Sequence, residues 1–488
     1  MKVGLFDEAG KALATASYSY GTAEPRPGYK EQDPSDWWSS VKKGIHQVLG
    51  EVKNASVLAI GATGCISSLT FVDAEGNYLR PSIAFQDQRA VEEVGEIREK
   101  FSRAELAESL GIDLPPAPTW PLPRLLWMRK HEPEVLDRTR YLLQAKDYIN
   151  LHLTEEFASD SSSNRGLVDL SSNLSSKRSA VAIFAKLNLP DLVPPLFRPD
   201  QVIGRVTQKA ALETGLTAGL PVVAGWNDLN ASVLGSGIFE DGQAFDVTGT
   251  SEHIGVVTSS HHAAERLMCA PYLPGKELLY GVTSSGGGSL AWFSRFSGKS
   301  INELLASAAA ASSELIFLPY LDGERSPIWD PQASGVLVGL RSSHGQGDVA
   351  RAILEGVAFS LRQILELVET HAAFRPETLV ASGGGSMAAL WNQIKADVLG
   401  KDVVTLRNPH AGIQGAAILA SVAGEMYPDI ETAAVQMTAT AQRFRPMEIN
   451  RRHMDEMYAL YNEIYPALRG TMGRLRRESL SQPNEGIQ

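Results

Sequence analysis

Cysteine is nearly absent: Cys65 and Cys269 are the two in 488 residues. Two thiols are too few for a disulfide framework and lack the paired spacing of a metal clip, so a reducing, cytoplasmic setting is expected and a cysteine metal site is not. No stretch approaches the roughly 18 apolar residues that cross a bilayer. The opening MKVGLFDEAGKALATAS has no basic segment leading into an apolar run, so it does not read as a signal peptide. Positive charge is in deficit, 45 Lys and Arg against 56 Asp and Glu, which argues against nucleic-acid or membrane partners. A Walker motif is missing as well: five residues separate Gly4 from Gly10, and Ala12 follows Lys11 where Ser or Thr is required. His261-His262 has no Glu at metalloprotease spacing and reads as an exposed pair.

What is present is ordinary globular composition, 43% hydrophobic and 21% charged, in a chain too long for one core. Two domains are expected, 1–241 and 242–475, joined at the turn Glu240-Asp241-Gly242, with a polar tail over 476–488. Val3 to Phe6, the turn Asp7 to Gly10 and Lys11 to Tyr20 predict a hairpin. Apolar residues at helical spacing predict helices over 36–52 and 348–371. VLAIGAT (57–63), LTFVD (69–73), LPVVAGWND (220–228), AFDVTGTSEH (244–253) and ETLVASGGGS (377–386) read as strands. Ser159 to Ser176 is polar and irregular, which predicts a surface loop. Alternating strands and helices give an α/β architecture.

Three glycine turns stand out: Gly249-Thr250-Ser251, Gly286-Gly287-Gly288-Ser289 and Gly383-Gly384-Gly385-Ser386. Such turns offer backbone N–H groups to a phosphate without a Cβ in the way, although tight strand-to-helix turns want glycine in any case. Asp228 ends an apolar strand, where a poorly solvated carboxylate can serve as a base; a helix N-cap is the equally weighted alternative. Asp87 and Arg89 in FQDQR are a second candidate pair, with an exposed salt bridge as the ordinary reading.

LPYLDGERSPIWDPQASGVLVGL (318–340) followed by HGQGDVARAILEGVAFSL (344–361) strongly resembles the C-terminal signature of the FGGY carbohydrate kinases. AKDYINLHLTEEFASD (145–160), PLPRLLWMRKHEP (121–133, with Arg124 in place of lysine) and the stretch ending in GWND resemble further family segments. SGGGSMAALWNQIKADVLG and HAGIQGAAILA resemble its adenosine-side elements. The resemblance is collinear from about Val3 to Tyr427. It implies two ribonuclease-H-like lobes with an interlobe cleft, ATP and Mg²⁺ as cofactors, and a small sugar as substrate. Asp228 would be the catalytic base. Cys65, Ile66, Ser67 and Asp87 would lie on the sugar side with Asp228. Gly249, Thr250, Gly287, Gly383, Gly384 and Gly385 would hold the nucleotide.

Cys65-Ile66-Ser67 stands where glycerol kinases carry Arg-Glu and xylulokinases carry Gln-Met-His. Glycerol is therefore disfavoured, a ketose of the xylulose type is expected, and a polyol or sugar acid stays open. The family also opens with an Asp-x-Gly-Thr strand just before the lysine matched by Lys2. That segment is expected to be lacking here, through a start placed too far downstream or, secondarily, a silent pseudokinase acting as a sensor. The metal ligands accordingly stay unassigned, and a homodimer is left open.

Overall fold

The structure is a computed structural model that describes residues 1–113, 115–171, 180–262, 264, 266–311 and 314–481. It divides into two compact units. Unit 1 comprises Met1–Phe239, Ala270–Lys276 and His410–Ala439; unit 2 comprises Glu240–Cys269, Glu277–Pro409 and Thr440–Gln488. The main chain first changes unit between Phe239 and Glu240, but two later segments return to unit 1, so the units interleave in sequence.

Unit 1 opens with the antiparallel pair Lys2–Phe6 and Ala12–Ser17, closed by Gly10 at φ +69°. The helix Pro34–Glu51 packs against it, capped by the Asp33 side chain. The expected strand 57–63 is reduced to a bridge at Ile60 and the short strand Thr63–Gly64. It runs parallel to Pro221–Val223 and Trp226–Asn227, its recorded pairing partners.

The polar stretch from Ser159 is the clearest correction. Ser159, Asp160, Ser162, Ser163 and Asn164 are all buried rather than exposed. Much of their polarity is satisfied internally: Ser159 Oγ donates to Asp147, Asn164 Nδ2 to Ser159 Oγ, and both Trp226 Nε1 and Asn227 Nδ2 to Ser162 Oγ. Hydrogen-bonded polar groups can be buried at little cost, and periodicity cannot see those partners. The remainder of that segment, 172–176, lies outside the described residues.

Unit 2 is built on a seven-stranded sheet ordered Met268–Pro271, Glu277–Thr283, Glu252–Thr258, Ala244–Thr248, Thr378–Gly383, Asp402–Leu406 and Thr440–Phe444. Its central strands, Ala244–Thr248 and Thr378–Gly383, are parallel. The helix Gln346–Ala372 lies against this sheet and buries Ile353, Leu354, Leu361, Ile364 and Val368. The helix Glu448–Ser481 runs into the polar tail expected from 476.

The segment Ala411–Ala423, expected among the adenosine-side elements, belongs to unit 1 and packs on the helix Asp228–Gly235. Its small residues let the backbones meet. A Cβ on Gly415 would lie 1.9 Å from the Ala231 carbonyl oxygen, and one on Gly235 1.9 Å from that of Ala411. Gly415→Val is therefore expected to force the helices apart at a cost of about 1–3 kcal/mol. A lowered urea midpoint, accompanied by a fall in kcat, checks this; an unchanged midpoint contradicts it.

Candidate functional site

In unit 1, Thr63–Gly64 and Trp226–Asn227 are neighbouring parallel strands, and Cys65 and Asp228 follow their carboxyl ends. That edge is where parallel α/β sheets present ligand-binding groups. Asn227, not Asp228, is the helix N-cap: its Oδ1 accepts the Asn230 N–H at 2.9 Å. Asp228 occupies the first helical position, and its Oδ1 accepts the Leu229 N–H at 2.9 Å. The capping alternative is thus taken by the preceding residue, and the helix N-terminus favours the Asp228 anion. Asp228 is solvent-accessible yet densely surrounded. Burial pushes its carboxyl above the ordinary aspartate value, against the pull of the Cys65 thiol, the Leu229 N–H and the Arg165 charge. In turn the Asp228 charge, together with burial, pushes the Cys65 thiol well up.

Cys65, Ile66 and Ser67 form the turn that follows, with Ser67 at φ +62°. This turn is tied to the Asp87 loop by Arg124, which is fully buried on the helix Pro121–His131. The guanidinium donates to the carbonyls of Ser67, Phe85, Asp87 and Pro118, the last three at 3.0–3.2 Å. Burial lowers its pKa to about 9. A lysine has three donors from one nitrogen and cannot span four carbonyls in this forked geometry. Arg124 is therefore a positioning residue that sequence reasoning noted only as a departure.

Asp87 is buried rather than an exposed salt bridge. Its Oδ1 accepts from Arg89 N and Nε, and its Oδ2 from Arg89 Nη2 at 2.9 Å and Lys30 N at 2.6 Å. The carboxylate's acceptor capacity is filled by the chain itself, so contact with a sugar would require displacing one of these donors. Arg89 also faces the rings of Tyr29 and Trp127 at 4.4 and 4.9 Å.

Unit 2 brings the three glycine turns together. Thr248 and Gly383 are register partners on adjacent parallel strands, so Gly249-Thr250 and Gly384-Gly385 emerge side by side. The third turn docks onto the first: Gly286 N and Gly288 N donate to Thr250 O, and Gly287 N to Gly249 O, at 2.8–3.0 Å. These three N–H groups, expected to be offered to phosphate, are consumed by neighbouring carbonyls. Glycine is needed at 287 for close approach, since a Cβ there would sit 2.7 Å from Gly249 O. Gly383 has φ +81°, and its N–H is committed to Pro409 O. Thr250 and Gly384 are exposed, and a Cβ on Gly384 would meet nothing within 4 Å. Glu324 was missed by sequence reasoning: its Oε1 accepts the N–H groups of Ser284 and Arg325 at 2.6 and 2.7 Å, pinning the third turn. Burial holds its carboxyl up at about 7.

Beneath these turns Lys395 is wholly buried on the helix Ala389–Leu399. Its Nζ reaches Asp246 Oδ2 at 2.6 Å, Thr248 Oγ1 at 2.8 Å and Glu252 Oε1. Asp246 Oδ2 and Glu252 Oε1 are thereby engaged by the ammonium, while Glu252 Oε2 is buried without a hydrogen-bond partner among the described residues.

Comparison with known proteins decides the family. The model of the N-terminal domain of the FGGY family of carbohydrate kinases matches residues 1–235, and that of its C-terminal domain residues 245–424. The chain belongs to the FGGY family of carbohydrate kinases. Within the family it sits on the xylulokinase-like branch. A xylulose kinase of Klebsiella pneumoniae is 31% identical, covering 97% of this kinase and 98% of the relative. A xylulose kinase of Escherichia coli K12 is 30% identical over 96% and 98%. Among solved structures, a "xyloylose kinase" from Brucella ovis superposes with a TM-score of 0.84 at 28% identity, covering 96% of this chain and 97% of that one. The fold is the two-lobe, actin-like ATPase fold of these kinases, and the enzyme is an ATP-dependent sugar kinase. Among the described residues, no helix is long and apolar enough to cross a membrane.

Lys395→Met tests the buried cluster in this kinase. It leaves Asp246 and Glu252 together without their cation, and losing one partner of a buried ion cluster costs about 3–5 kcal/mol. A much lower urea midpoint is expected, and an unchanged one would show the cluster to be dispensable.

Proposed function

We propose that this kinase transfers the γ-phosphoryl group of ATP to a hydroxyl of a ketose of the pentulose, xylulose-like class. The observation that carries the reading is Asp228, a carboxylate with raised pKa at the strand ends beside Cys65, relieved of capping duty by Asn227. The names of the xylulose kinase relatives support the substrate class. Asp228 accepts the proton of the attacking hydroxyl as its oxygen bonds to the γ-phosphorus. The bond to the bridging oxygen breaks, ADP leaves, and the proton passes from Asp228 to solvent. Thr250, Gly384 and the Gly249 and Gly383 turns hold the phosphates, with Gly287 and Gly385 supporting them. The Mg²⁺ ligands stay unassigned, and no step is routed through the ion.

Cys65, Ile66 and Ser67 contact the sugar, and the Asp87 loop supports their turn through Arg124. Their difference from Gln-Met-His bears on which ketose is accepted. ADP production from a panel of pentuloses, hexuloses, polyols and sugar acids tests this, with turnover expected to be highest for a pentulose. Highest turnover on a polyol or sugar acid refutes the substrate class. The silent-sensor alternative is not supported by the relatives.

Asp228→Asn is expected to lower kcat by about 10²–10⁴-fold with little change in sugar affinity. The sign of the pH dependence follows from the raised pKa: falling pH protonates Asp228 and removes the base. The acid limb of the kcat profile should therefore lie above the ordinary aspartate value of about 3.9. Near-normal turnover in the variant would exclude Asp228 as the base. Gly384→Val should weaken ATP binding, measured by calorimetry, while leaving sugar binding unchanged; equal ATP affinity would remove Gly384 from the nucleotide site.

A further inference from the structure

Away from both sets of functional residues, unit 2 assembles a thiol, an imidazole and a carboxylate. The donor atoms of His261, Cys269 and Glu277 all lie within 4.8 Å of one another. They converge on one oxygen: Glu277 Oε2 is 2.9 Å from His261 Nδ1 and 2.6 Å from Cys269 Sγ. Among the described residues this is the one such cluster of three. Sequence spacing conceals it, since eight positions separate each ligand from the next, and tertiary pairing supplies the proximity.

Cys269 and Glu277 stand on adjacent strands of the sheet, Met268–Pro271 and Glu277–Thr283, joined by a tight turn that Tyr272 N closes onto Lys276 O at 3.0 Å. Their relative position is thereby held before any ligand arrives. His261 comes from the loop after the strand Glu252–Thr258, whose last residue is the register partner of Glu277. Thr258 anchors that loop: its Oγ1 accepts the Ser260 N–H and lies 3.1 Å from His262 Nε2. Cys269 is buried, Glu277 partly so, and His261 is exposed, so the group is reachable from solvent on the imidazole side. The glycine turn lies at the opposite end of the strand Glu252–Thr258, roughly 20 Å away at 3.3 Å per residue.

We propose that His261, Cys269 and Glu277 form a binding site for a borderline-soft divalent transition cation of the Zn²⁺ class. One sulfur, one nitrogen and one oxygen ligand match tetrahedral Zn²⁺ with water in the fourth position. The sulfur ligand disfavours Mg²⁺ and Ca²⁺, which take oxygen. Binding forms the sulfur–metal bond as the Cys269 thiol proton, otherwise donated to Glu277, passes to solvent. The cation joins the 258–262 loop to the hairpin strands without touching the groups assigned to phosphoryl transfer.

The test uses the full chain, stripped with chelator and titrated with Zn²⁺ against a chromogenic chelator, then with Co²⁺ by absorption. One Zn²⁺ per chain is expected, unaffected by excess Mg²⁺, together with a thiolate-to-Co²⁺ charge-transfer band in the near ultraviolet. Cys269→Ser should abolish that band and weaken Zn²⁺ binding at least tenfold, and His261→Asn should weaken it similarly, while ADP production stays as in the unaltered chain. Cys65→Ser should retain uptake. His261 is exposed, so His261→Asn remains decisive should Cys269→Ser fail to fold. Absence of stoichiometric uptake, uptake retained by His261→Asn, or uptake lost with Cys65→Ser would overturn the proposal.

Discussion

Each unit is organised around one buried lysine. In unit 1 Lys146 Nζ binds Asp147 Oδ1 at 2.6 Å, Asp160 Oδ2 at 2.9 Å and Ala224 O at 3.1 Å. That carbonyl lies four residues before Asp228, and Gly64 packs directly on the Lys146 backbone. In unit 2 Lys395 joins Asp246 and Glu252 under the glycine turns. A buried ammonium must have its donors satisfied, so each lysine dictates where its strands and turns can lie. The candidate base and the candidate phosphate turns rest on these two ionic frames.

Close backbone packing is the second constraint. Gly235 and Gly415 allow two helices of unit 1 to touch, which sets the axis at whose first residue Asp228 stands. The glycine turns of unit 2 behave similarly. Glycine at 286–288 serves carbonyl-to-amide docking as much as ligand access, because those amides are spent on Gly249 and Thr250. Glycine in a sequence signals close approach without saying what approaches. The segment Ala411–Ala423, placed by family resemblance among the adenosine-side elements, packs on the helix that begins at Asp228.

Much of the architecture was legible. The first hairpin, the helices beginning at Pro34 and Gln346, and the strands before Gly249 and Gly384 follow from periodicity and turn chemistry. The family followed from the 318–361 signature and its collinear companions. The polar segment after Ser159 was not legible, because its burial depends on Asp147, Trp226 and Asn227, distant in sequence. Nor was the filled state of Asp87, since the local FQDQR string shows Arg89 but not Lys30. The raised carboxyl of Glu252, pushed up by burial and by Asp246, likewise has no local signature.

By itself the sequence determined the class of chemistry. It supplied a carboxylate after an apolar strand, glycine turns after two others, and a signature spanning most of the chain. These are local patterns, written in residues that are neighbours along the backbone. Tertiary structure decided which polar groups are committed and which remain available: Asn227 rather than Asp228 caps the helix, Arg124 spans four carbonyls, and Lys395 holds two acids. It also brought His261, Cys269 and Glu277 to one point. The physical reason is common to all of these. A polar group's availability depends on which donors and acceptors the folded chain places within about 3 Å of it, and strands far apart in sequence supply most of them.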